Sequence, residues 1–195
     1  MPTGVALRDA RQRLFEAAER VLVRAGAAGL TSRAVTAEAG VAKGVLHRHF
    51  ADFDAFLAEL VLGRIARVRA QAAALREAAG TGTVTDNLEE ALTRLFDPVM
   101  VAVVALVIGR DELRERLRAA GTARLPLIGE ATAALADYLR AERDRGRLAP
   151  EAVPEALAPA LIGAAHVLFT EWRGGPPEPG ALRDVVGTAL ARALR

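Results

Sequence analysis

Residues 31–50 read TSRAVTAEAGVAKGVLHRHF, and they hold the groups of this chain best suited to an anionic partner. Arg33, Lys43 and Arg48 are permanent cations. His47 and His49 carry imidazoles, Thr31 a hydroxyl, and Gly44 leaves backbone exposed. Such groups donate hydrogen bonds and neutralise charge, which suits phosphates and base edges. They are poorly arranged for bond-making chemistry. His47 and His49 stand two residues apart, so on a helix they diverge and do not share a metal. The chain has no Cys, which excludes thiolate ligands and disulfides. It shows no His pair at i, i+4, no Ser-centred nucleophile turn and no phosphate-cradling Gly loop after a strand. We therefore expect no enzyme, no catalytic residue, no metal and no cofactor.

The elements that must position these groups are short helices. Thr31 supplies a capping hydroxyl for a helix that ends at Gly40, and a second helix runs from about Ala42 to Phe50. A tight turn at Gly40 needs a positive φ angle, which glycine adopts without strain. Val35, Ala39, Val41 and Leu46 are spaced to pack inward. Lys43, Gly44, His47 and Arg48 then point outward. The spacing is that of a helix-turn-helix. Before it, Leu14, Ala17, Ala18, Val21, Leu22 and Ala25 form one apolar stripe, stopped by Gly26 and Gly29. After it, Asp52 caps a long helix carrying Phe53, Phe56, Leu57, Leu60, Val61, Ile65 and Val68.

Charge follows the same division. The chain carries a net charge of only +2, but residues 1–50 hold eight Lys/Arg against four Asp/Glu. Apolar residues make up 52% of the sequence, enough for a sizeable core. The longest apolar run, Val99 to Ile108, is about half the length of a bilayer span and reads as a central helix. No apolar leader precedes Arg8, so a cytoplasmic protein is expected.

The rest of the chain reads as helix. Asp86 and Glu89 suggest a capping box. Asp97-Pro98 is either a cap with proline in the first turn or a kink. Further helices follow over Asp111 to Ala120, about Thr122 to Arg145, about Val153 to Trp172, and around Leu182 to Ala193. The expected fold is all-α, with about nine helices and no strands. A helix-turn-helix domain over 1–52 precedes a larger helical domain over 53–195.

The run Thr31, Arg33, Val35, Ala39-Gly40-Val41, Lys43-Gly44, Leu46, His49-Phe50 and Leu57 resembles the TetR family of repressors. Phe15, Ala17, Ala18, Leu22 and Gly29-Leu30-Thr31 fit as well, so the close likeness covers roughly residues 10–60. The resemblance implies a dimer on double-stranded operator DNA, with the second helix of the motif in the major groove. It points to Lys43, Gly44 and Val45 for base contacts, and to Thr31, Arg33, His47, Arg48 and His49 for phosphates. Four positions depart from the family. Ala42 replaces a common Ser, Val45 a frequent hydroxyl, His47 a very common Tyr, and Phe53 a frequent Lys.

The remaining helices supply two further groups. Leu157, Leu161, Ala164, Ala165 and Leu168 form one stripe, and Leu182, Val185, Val186, Ala189 and Leu190 form another. Two such helices from each protomer can build a four-helix dimer interface. The resemblance implies the same pair. It also implies a ligand cavity, for which the candidates are Leu62, Phe96, Met100, Val103, Val104 and Val107, with Tyr138, His166, Phe169 and Trp172. His166 and Tyr138 are the polar handles of this otherwise apolar set, and the expected effector is a small apolar molecule. A regulator acting through a protein partner, with a solid core, is the competing reading.

Overall fold

The computed structural model describes residues 4–123, 125–171 and 177–194. Among these residues there are ten helices and no strand, apart from one isolated bridge between Leu148 and Leu194. The helices are α1 Gly4–Gly29, α2 Ser32–Glu38, α3 Gly44–His49, α4 Phe53–Glu77 and α5 Val84–Leu95. They continue as α6 Pro98–Ile108, α7 Asp111–Ala119, α8 Pro126–Asp144, α9 Pro154–Glu171 and α10 Ala181–Leu190. No single described helix is long and apolar enough to cross a membrane.

Packing divides the chain into two units: residues 1–63 with 98–124, and residues 64–97 with 125–195. This is a different division from the 52/53 boundary expected from the sequence, because α6 and α7 join the helix-turn-helix.

In the first unit the stripe of α1 is buried from Leu14 to Leu22, while Ala25 is exposed. Gly26 turns the backbone out of the helix at φ 66°, as its position suggested. The apolar run of α6 packs against α1, with Met100, Val103 and Val107 buried. Arg110 and Arg116, flanking and within α7, pair with Asp54 at 3.3 Å and Asp52 at 2.7 Å. Asp52 also caps α4 through the Ala55 amide, 2.6 Å away, as expected. These donors hold the Asp52 carboxyl below its usual range.

The second unit packs α8 on α9, α9 on α10, and α10 on α5. Two local expectations need correction here, and one alternative is resolved. The α5 cap is Thr83, whose hydroxyl accepts the Asp86 amide at 3.0 Å, so the helix starts at Val84. Asp86 and Glu89 instead hold Arg183 of α10. The eighth helix begins at Pro126, not Thr122. The α7 chain ends in Gly121 (φ 82°), whose amide and that of Thr122 satisfy the last carbonyls of α7, and Pro126 is pre-set for a helix start. The alternative left open at Asp97-Pro98 resolves as a new helix with proline in its first turn, not as a kink within one helix. Phe96 leaves helical geometry at ψ 43°, and α6 starts afresh at Pro98, which accounts for ten helices where about nine were expected.

A buried polar cluster ties the α4–α5 loop to α8. The fully buried Glu142 accepts the Gly80 amide at 3.2 Å and pairs with Arg147 at 3.3 Å. Asn87 donates to the Tyr138 hydroxyl at 3.0 Å. Burial, reinforced by Glu142, pushes the Tyr138 hydroxyl well above its ordinary ionisation range.

Candidate nucleic-acid interface

The motif forms through local chemistry that can be followed residue by residue. The Thr31 hydroxyl accepts the Ala34 amide at 3.1 Å and opens α2. At the other end Gly40, at φ 64°, sends its amide to the Ala37 carbonyl, and the Val41 amide reaches Thr36. These two bonds close the helix in a Schellman motif. Arg13 of α1 donates to the Ala39 carbonyl at 2.9 Å, fixing the turn from outside. Val35, Ala39 and Leu46 are buried as expected, whereas Val41 is half-buried. α3 is shorter than expected. It begins at Gly44 with Lys43 as an N-cap that makes no side-chain bond, which fits the absence of a capping hydroxyl at Ala42. Thr31→Ala removes the α2 cap, and we expect a loss of about 1 kcal/mol of stability, read from chemical denaturation.

Phe50 anchors α3. Its ring lies 5.6 Å from Phe15 and 4.9 Å from Phe56, edge to face, with the Arg11 guanidinium 4.4 Å above it. Phe53 stacks on Phe56 at 5.7 Å under Arg110. Arg11 also donates to the His49 carbonyl at 3.0 Å. α3 is thus held on a rigid aromatic base.

Charge pairing singles out the outer face. Within this unit Arg11, Arg20, Arg24, Arg110, Arg114, Arg116 and Arg118 all meet carboxylates. Glu38, the acid of α2, is gripped by Arg20 and Arg24 at 2.8 Å each, and their hydrogen bonds hold its carboxyl below the usual range. Arg33, Lys43 and Arg48 are exposed and meet no carboxylate among the described residues. Thr31, Gly44 and His47 share that exposure, Val45 is half-buried, and His49 is half-buried with its carbonyl engaged. The sequence did not reveal the roles of Arg11, Arg13, Arg20 and Arg24. Their partners are 14 to 48 residues away, a distance over which helical periodicity carries no signal.

The effector candidates fall in both units. Leu62 is half-buried and Met100, Val103, Val104 and Val107 are buried in the first. In the second, Phe96 stacks on Phe169 at 5.6 Å and lies 6.0 Å from His166. The His166 Nδ1 is buried without a hydrogen-bond partner among the described residues. Tyr138 is bound by Asn87, as a satisfied core tyrosine would be. Trp172 lies outside the described residues.

The expected dimer stripes need revision. Leu161, Ala165, Val186 and Leu190 are fully buried, and Leu182 nearly so, within the single chain. They are the contact of α9 and α10 with their own neighbours. Leu157, Leu168, Val185 and Ala189 are half-buried, and only Ala164 is exposed. The uncovered side of α9 carries Ala156, Ala160, Gly163, Ala164 and Val167, the last 54% exposed. Periodicity found an apolar stripe but could not tell an internal partner from an external one.

Residues 14–60 match the sequence profile of bacterial regulatory proteins of the tetR family. No curated protein matches the chain. Solved structures with a similar fold include a TetR-family transcriptional regulator from Agrobacterium tumefaciens, 14% identical, covering 97% of this chain and 100% of that chain at a TM-score of 0.75. A transcriptional regulator from Rhodococcus sp. Rha1 is 23% identical, with 94% and 97% coverage and a TM-score of 0.69. NalD, the secondary repressor of the MexAB-OprM multidrug efflux pump in Pseudomonas aeruginosa, is 18% identical, with 96% and 97% coverage and a TM-score of 0.65.

Proposed function

We propose, from the match of residues 14–60 to bacterial regulatory proteins of the tetR family, that this chain is a DNA-binding transcriptional repressor, binding an inverted-repeat operator as a homodimer and released by a small apolar molecule. The observation that carries the DNA contact is the uncompensated set Arg33, Lys43 and Arg48 on the outer face of α2 and α3. A phosphate backbone supplies the missing counter-charge. Thr31, Arg33, His47, Arg48 and His49 meet phosphates in this reading, and Lys43, Gly44 and Val45 meet bases. The repressor NalD supports the sign of regulation by its likeness in fold.

Two results follow for DNA. If Arg33 and Arg48 each neutralise one phosphate, a dimer releases about four counterions, and the log–log salt slope is on the order of −4. With Lys43 assigned to a base, Lys43→Ala costs about 1–3 kcal/mol at the matched base pair and relaxes sequence preference. Arg48→Ala weakens all sequences alike. Anisotropy titrations on a selected site and on random duplex separate the two. Equal losses on both for Lys43→Ala remove it from base reading.

The homodimer is placed on the uncovered face of α9, around Ala160, Gly163, Ala164 and Val167. Gly163 supports this reading: it is helical, exposed, and a Cβ there would meet nothing in its own chain. A close partner backbone would favour glycine at such a point. For the effector, Phe96, His166 and Phe169 are the best-supported candidates, because the bare His166 Nδ1 offers one polar contact beside two rings. An effector shifts DNA binding only by its affinity difference between the two states, and by linkage operator DNA weakens effector binding by the same factor. Thermal-shift screening for the effector, followed by titration with and without saturating operator, tests this. Equal effector affinities in the two titrations defeat the release mechanism.

A further inference from the structure

α3 is six residues long, its N-cap makes no side-chain bond, and of its own residues only Leu46 is buried. A helix this short does not hold itself, so its position is set by what grips it. The last carbonyls of a helix have no partner within it. Arg11 of α1 supplies one here, donating from Nη1 to the His49 carbonyl at 3.0 Å. A cation at that end also suits the helix dipole.

The same side chain makes two further contacts. Its guanidinium lies 4.4 Å over the ring of Phe50, the C-cap of α3. Its Nη2 pairs with Glu59 of α4, which balances its charge. One planar, forked group therefore joins α1, the end of α3 and the first turns of α4, all within the first packing unit. Both partners of the Arg11–Glu59 pair are partly open to water, so the pair contributes geometry more than stability.

We propose that Arg11 is a positioning residue for base reading: it fixes the angle at which α3 presents Lys43, Gly44 and Val45. This rests on the assignment of those three residues to bases under the proposed function. A base contact needs its donor within about 0.5 Å of the productive place, whereas charge attracts a phosphate over a much wider range. Arg11 therefore sets the discrimination between sequences and adds little to the affinity that all sequences share. Lysine carries the same charge but lacks the fork, so it does not serve carbonyl, ring and carboxylate together.

The test titrates the full-length chain by fluorescence anisotropy on a duplex selected by the parent and on a random duplex of equal length. Circular dichroism checks that each variant is folded. Arg11→Lys is expected to lower the ratio of selected to random affinity about tenfold, with the loss falling on the selected duplex. Arg11→Met lowers the ratio likewise, at the parent's log–log salt slope. Glu59→Gln loosens Arg11 without altering α1 or α3. It lowers the ratio by a smaller factor, and it decides the question if Arg11→Lys does not fold. A parent that discriminates beside a folded Arg11→Lys that discriminates equally well overturns the role of Arg11 alone. A slope shallower by about two for the Arg11→Met dimer makes Arg11 a phosphate contact and overturns it as well. A parent that prefers no sequence overturns the base assignment, and this proposal with it.

Discussion

Leu161→Glu and Val186→Glu are expected to destabilise this protein strongly, whereas Val167→Glu is expected to leave it folded and monomeric. Leu161 and Val186 are fully buried in their own chain. A carboxylate there has no partner, and an unpaired buried charge costs about 3–5 kcal/mol against a total stability of about 5–15. In a chain of this size that lowers the melting temperature by roughly 6–20 °C. Val167 is 54% exposed, so its replacement changes the stability of a lone chain by only about 0.5 kcal/mol. In the proposed dimer the same charge is buried against the partner. Circular dichroism melts and sedimentation velocity read the two effects separately. A folded, monomeric Leu161→Glu would return the internal stripe to the interface, and a dimeric Val167→Glu would remove the α9 face from it.

Gly44→Leu is expected to abolish tight DNA binding in a protein that folds at least as well as the parent. Gly44 opens α3, is exposed, has no positive φ, and its Cβ position is empty to 4 Å. Folding therefore does not require glycine there. Close approach of the helix backbone to a ligand does. Gly44→Ala should raise stability by about 0.4–1 kcal/mol through the unfolded state. Operator affinity should fall about tenfold or more, that is by about 1.4 kcal/mol, with the larger leucine worse. Melts and anisotropy on one selected duplex check both halves. Unchanged affinity for Gly44→Leu places the start of α3 outside the groove.

The parts of this molecule legible in its sequence are those written in local chemistry. Thr31, Gly40 and Asp52 announced their caps and turn, because capping is decided within three or four residues. The helical stripe of α1 and the apolar run of α6 likewise showed in periodicity. Boundaries failed where two caps competed. Thr83 and Asp86 are both able cap residues, and the three-residue shift between them left the pattern of α5 intact. What was not legible was pairing across the chain. The grip of Arg20 and Arg24 on Glu38 leaves α2 without a free acid on the outer face, and no spacing rule announces it. The same holds for the stripes of α9 and α10. Leu161 and Val186 were visible as apolar, but whether an apolar side chain meets its own fold or a second copy is a property of the packed structure.

Selection of binding sites from a random duplex pool tests most directly whether the outer face of α2 and α3 reads operator DNA. The expected result is enrichment of an inverted repeat, with half-site centres separated so that the two α3 helices meet successive major-groove faces, about 34–36 Å apart. Arg33→Ala, Lys43→Ala and Arg48→Ala, combined in one folded variant, are expected to enrich nothing. An asymmetric selected sequence, or a triple variant that enriches the same repeat as the parent, would contradict operator reading by this face.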